Sequence, residues 1–98
     1  MARFHLSWEI DHTRLKSDPK EIAAGWKLLA GLVRQHLETG VMKEWGAFPG
    51  EHGGYCVLEG EGTDVMTTTM QYAPYVRFQV RPVASIKEVS DFLDAASR

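Results

Sequence analysis

Ninety-eight residues, 44% hydrophobic and 24% charged with a formal net charge of −2, suffice for one domain with one core and exert no long-range pull on DNA, RNA or an anionic membrane. One cysteine excludes an internal disulfide, the absence of asparagine excludes N-glycosylation, and no apolar run approaches the ~18 residues of a membrane span. The opening MARFHLSWEID turns acidic before any long apolar run develops, so the expectation is a cytoplasmic protein without a signal peptide.

Arg3 to Glu9 alternates Phe4, Leu6 and Trp8 against Arg3, His5, Ser7 and Glu9, the period of a half-buried strand. A turn through Asp11 to Ser17 follows. Asp18-Pro19-Lys20-Glu21 then reads as a helix start. Asp18 can cap, Pro19 gives up no hydrogen bond at the first helical position, and Glu21 completes a capping-box pattern. The helix is expected to run to Glu38, with Gly40 as its stop.

At about 100° per residue, Ile22, Trp26, Leu29, Val33 and Leu37 fall on one line of that helix. Leu28 and Leu32 lie to one side, Ala23 and Ala30 to the other. The apolar arc is about 220° wide, roughly twice what a helix covering one sheet needs. Something besides its own sheet must therefore cover Leu28 and Leu32: a third helix or a partner chain. His36, at the edge of the arc, is expected to be buried and bonded to a carbonyl.

Val41 to Phe48 and Tyr55 to Glu61 read as two strands joined by PGEHGG. Thr63 or Asp64 can cap a short second helix carrying Met66, Met70 and Ala73 at i, i+4 and i+7, ended by Pro74. Val76, Phe78 and Val80 then alternate with Arg77, Gln79 and Arg81 in a fourth strand closed by Pro82. Ser85 opens a capping box with Glu88, and Ile86, Val89, Phe92, Leu93 and Ala96 make an amphipathic tail helix. The order β-α-β-β-α-β plus a terminal helix predicts an α+β, ferredoxin-like fold with an antiparallel four-stranded sheet over residues 1–98.

In that fold both helices cover one sheet face, met by Phe4, Leu6, Trp8, Cys56, Leu58, Val76, Phe78 and Val80. The opposite face is expected to carry His5, Ser7, Tyr55, Val57, Glu59, Tyr75, Arg77, Gln79 and Arg81, together with Trp45. The register of the second strand is the weakest point, because Lys43 and Glu44 leave both faces partly polar. A wet, aromatic and charged face of this kind needs a cover or a ligand.

The glycine-rich stretch EWGAFPGEHGGYCVLEGEG looks chemical and reads as scaffold. Its first loop is followed by a strand and carries Glu51, whereas a phosphate cradle needs a helix N-terminus behind it. Gly60-Glu61-Gly62 is a strand-to-helix turn in which Glu59, Glu61 and Asp64 would repel a pyrophosphate. Cys56 sits among apolar neighbours as a small hydrophobe. His5, His12, His36 and His52 have no metal-ligand spacing, so no metal is expected.

Three pieces of the second half, GVMKEWGAF, GGYCVLEGEGTDVM and YAPYVRFQVRPVASIKEV, resemble short bacterial proteins of an uncharacterised branch of the dimeric α+β barrel superfamily. Its members often show a tryptophan in the second strand, a glutamate closing the third and a fourth strand ending in Pro-Val; here these are Trp45, Glu59 and Pro82-Val83. The resemblance implies a homodimer in which two four-stranded sheets face each other and close a barrel. Relatives in the superfamily include cofactor-independent monooxygenases, haem-degrading enzymes, polyketide cyclases and lactone isomerases. The first two kinds commonly depend on an asparagine near a tryptophan, which this chain lacks. In the cyclase-like scheme a strand-borne histidine and a tyrosine remove a proton next to a carbonyl. His5 resembles that histidine in position, and Tyr55 or Tyr75 stands as its partner.

Several readings follow. In the first, a homodimer binds a small apolar or aromatic metabolite in a pocket walled by Trp45, Tyr55, Tyr75 and Val57, with His5, Glu59 and Arg77 as polar contacts. In the second the same face is catalytic, with His5 as general base and Tyr55 as donor, and no cofactor. In a third, the charged face only fills a dimer interface. RNA binding through strand aromatics is disfavoured by the net charge and by the absence of the K/R-G-F/Y-G/A-F-V signature.

Overall fold

The observed order is β1 (Ala2–Ile10), α1 (Pro19–Thr39), β2 (Met42–Ala47), β3 (Gly53–Gly60), α2 (Gly62–Met70), β4 (Val76–Val83) and α3 (Ile86–Ala96). The computed structural model describes residues 2–11 and 18–98, so His12 and the expected turn beyond Asp11 lie outside the described residues. The sheet runs β2-β3-β1-β4 with every neighbouring pair antiparallel, which makes the fold α+β and ferredoxin-like with an added C-terminal helix. Among the described residues no helix is long and apolar enough to cross a membrane.

α1 begins and ends where its sequence signals stand. Asp18 accepts the Lys20 amide at 2.9 Å, in place of the Glu21 amide that a capping box would use. At the other end Gly40 turns left-handed at φ 86° and donates its N–H to the His36 carbonyl. α2 starts earlier than its threonine suggested: Glu61 is the N-cap residue, and its amide is held by Asp64 Oδ2 at 2.7 Å. α3 opens on the expected Ser85–Glu88 capping box. β4 runs through Pro82 to Val83 without losing a ladder bond, because an edge strand leaves one side unpaired.

The core lies between the sheet and the two middle helices. Leu6, Cys56 and Leu58 are fully buried, and Trp8, Ile10, Val33, Met42, Val65 and Tyr72 complete it, with Phe4, Val76 and Phe78 packed half-buried against it. Burying a leucine of this kind is worth about 1.5–3 kcal/mol. Val80, expected inside, is left 43% exposed beyond the reach of α2. The buried side of α2 is also displaced from expectation. Val65, Thr68 and Tyr72 face the sheet, while Met66 and Met70 point to solvent.

His36 is buried as expected, but its partner is the Tyr72 hydroxyl, 2.8 Å from Nδ1, and not a carbonyl. On α1, Leu28, expected to need a cover beyond its own sheet, is 78% exposed, and Leu32 is half-buried. α3 is exposed along its whole length, and the molecule is correspondingly drawn out to 62 × 25 × 20 Å.

Candidate functional site

The strand register lays out the open face as rows. Glu44, Val57, His5 and Arg81 lie side by side across the four strands. The next row is Gly46, Tyr55, Ser7 and Gln79, flanked by Glu59–Arg3–Val83 on one side and Gly53–Glu9–Arg77 on the other. Five of the expected site residues are therefore brought onto one surface: His5, Tyr55, Val57, Glu59 and Arg77.

Tyr55 is the centre of that surface. Its ring lies across β2 over Gly46, where an added Cβ would stand 2.5 Å from Cε1. Only a glycine permits so close an approach, which is the reason a strand interior carries one. His5 stacks beside the ring at 6.0 Å and 4°, and Phe48 flanks it at 6.2 Å and 26°. The Tyr55 hydroxyl donates to Glu44 Oε1 at 2.5 Å, and this bond, more than partial burial or the carboxylate's charge, pushes the phenol above its ordinary value. Glu44, Gly46 and Phe48 were not singled out for the site from the sequence. The glycine inside a strand, between Trp45 and Ala47, was the available signal.

Two of the surrounding cations are paired. Arg3 meets Glu59 at 3.1 Å, and its hydrogen bond holds the Glu59 carboxyl below the usual range, with Lys43 assisting. Arg77 reaches Asp11 at 3.4 Å. His5 and Tyr55 share a stack and not a hydrogen bond, so the pair is arranged as an aromatic platform more than as an acid and a base.

Two expected members of the site lie elsewhere. Trp45 faces the helices, paired with Cys56 and stacked on Trp8 at 5.3 Å and 11°. The cause is a bulge between Met42 and Glu44: β2 spends two steps where β3 spends one, from Leu58 to Val57, so every residue after it changes face. Trp8 in turn crosses β3 at Gly54, where a Cβ would strike the Gly46 carbonyl, and its Nε1 donates to Gly46 O and Tyr55 O at 3.2 Å each. The second displaced residue, Tyr75, precedes β4 and lines a groove against α1, its carbonyl accepting the Asp11 amide at 2.8 Å.

Inside the molecule, Trp8, Trp26, Trp45, Met42 and Phe78 surround a gap of about 50 Å³. That is well below the ~300 Å³ at which metabolite pockets begin. Cys56 lies deep in the same interior, where burial pushes its thiol up to about 12, so it is not a nucleophile at neutral pH. Among the described residues no three His, Cys, Asp or Glu side chains converge on a point that could hold a metal ion.

Comparison with curated proteins finds no match. A family profile does match, over residues 2–97 and hence over all seven elements. The chain belongs to the family described as a domain of unknown function, DUF3303.

Proposed function

We propose that the protein is a homodimer that binds a small apolar or aromatic metabolite between the open sheet faces of its two copies. The observation that carries this reading is the Tyr55 platform: a tyrosine ring seated on Gly46, flanked by His5 and Phe48 and left half-covered on a face that none of the described helices crosses. A flat apolar ligand adds one more member to such a stack. Val57 contributes apolar surface next to it, and His5, Glu59 and Arg77 supply polar contacts at its margin. The resemblance to dimeric α+β barrels favours the same face as the one that is closed. Binding is preferred to catalysis because His5 stacks on Tyr55 while the tyrosine hydroxyl is held by Glu44.

Sedimentation equilibrium at micromolar concentration, followed by a thermal-shift screen of aromatic and polyketide-like acids, tests both halves of the proposal. The expected result is a dimer whose melting temperature rises with a ligand, and rises at least tenfold less readily in ligand concentration for Tyr55→Ala. A monomer, or a ligand indifferent to Tyr55→Ala, overturns it.

A further inference from the structure

The charges of the open face are sorted across the sheet. Glu44 on β2 stands at one end of a row and Arg81 on β4 at the other, with Val57 and His5 between them. Three arginines share this face, and two are engaged: Arg3 with Glu59 at 3.1 Å and Arg77 with Asp11 at 3.4 Å. Arg81, the third, has no carboxylate partner among the described residues. Glu9 lies opposite Arg77, four residues along β4 from Arg81 and about 13 Å away at the rise of a strand.

An exposed arginine by itself says nothing; the position of this one does. Its cross-strand neighbour is His5, and His5 stacks on Tyr55 at 6.0 Å. Tyr55, His5 and Arg81 thus lead from β3 over β1 to β4, two strand spacings or about 10 Å. At the other end Glu44 is already engaged by the Tyr55 hydroxyl, and its charge repels an anion there. A planar ring resting on Tyr55 and His5 therefore finds a free guanidinium on the β4 side only. A guanidinium meets a carboxylate through two parallel N–H bonds, which fixes the direction of the ligand as well as its charge.

We propose that the ligand of this face is an aromatic acid, its ring on Tyr55 and His5 and its carboxylate held by Arg81. This rests on the ligand-binding reading and adds the charge, the orientation and the residue that selects them. Arg77 and Glu59, each held by a partner within the chain, leave that selection to Arg81.

Isothermal titration of the full-length protein with naphthoate, naphthamide and naphthylmethylamine tests it, since the three share a ring and differ in charge. Naphthoate is expected to bind about tenfold tighter than the other two, and Arg81→Gln to abolish that preference while leaving naphthamide unchanged. Arg81→Lys should keep part of the preference, because an ammonium retains the charge without the fork. Added salt should weaken naphthoate and spare naphthamide. Tyr55→Ala should weaken all three.

An amide or amine that binds as tightly as the acid overturns the inference, as does a preference that survives Arg81→Gln. In either case a loss with Tyr55→Ala leaves the platform itself standing. Sedimentation velocity of Arg81→Gln supplies the other arm: weakened self-association with the preference intact assigns Arg81 to a carboxylate of a second copy and overturns the inference. Naphthoate that does not bind at all overturns it too, whereas the platform falls only if neutral aromatics also fail.

Discussion

On the helix side of the sheet Leu6, Cys56 and Leu58 are wholly buried, while on the opposite side of the same strands Ser7, Gln79 and Arg81 lie in solvent and His5, Tyr55 and Val57 are half-covered. Both faces use aromatic stacks seated on glycines: Trp8 and Trp45 at Gly54 inside, Tyr55 and His5 at Gly46 outside. The difference lies in what each stack is held against. The inner one is held among core side chains that leave a gap of only about 50 Å³, so its residues answer to packing. The outer one has no such partner among the described residues, so its arrangement needs another reason, and substitutions there should separate stability from binding.

The largest expected effect breaks that comparison most directly. Leu58→Ala should lose about 2–5 kcal/mol in urea denaturation, as large-to-small changes in filled cores do. His5→Ala, on the other face of the sheet one strand away, should stay within about 0.5 kcal/mol. Equal losses would mean that the open face contributes to folding as much as the core does. Next in size is Gly54→Ala, which forces a methyl against the Gly46 carbonyl and the Trp8 indole. About 1–3 kcal/mol and a changed tryptophan emission are expected.

Gly46→Ala sharpens the point, because the three atoms nearest its methyl all belong to the Tyr55 ring, which can swing outward. A smaller loss is expected there, together with a Tyr55 pKa that falls back toward its ordinary value once the Glu44 bond is broken; ultraviolet titration of tyrosine reads it. Tyr72→Phe probes the inner side again. It strips His36 of its buried partner at an expected cost of about 1–3 kcal/mol.

What the sequence made legible was whatever depends on neighbours along the chain. The start of α1 at Asp18-Pro19, its stop at Gly40, the Ser85–Glu88 box and the alternation of β1 and β4 are local signals, and the fold class followed from their order. The site was legible only where strand alternation is unbroken, as at His5, Tyr55, Val57, Glu59 and Arg77. Trp45 was misplaced because one extra residue at Met42–Glu44 inverts parity, and nothing in Lys43 marks the bulge. Met66 and Met70 were misread because hydrophobicity alone chose the α2 face, whereas Val65 and Thr68 fit under it. The His36–Tyr72 bond joins residues on separate elements and leaves no local trace.

The two faces also differ in the sign of their pH dependence. Burial raises the Cys56 thiol from 9.0 to about 12, so its contribution to stability is whole below 9 and is lost as pH rises toward 12. Cys56→Ala should therefore flatten the alkaline limb of a stability–pH curve. Glu59 behaves oppositely: its folded-state pKa is depressed from 4.5, so its contribution is present above that value and lost as pH falls through the lowered one. Arg3→Gln should return the Glu59 carboxyl toward its ordinary value in an NMR titration and shift the acid limb only slightly, because the pair is solvent-screened. A large acid-limb shift would instead mean that the pair is buried in solution, as it would be beneath the sheet of a second copy, and repeating the titration across protein concentration would identify that cover by its dependence on dimer formation.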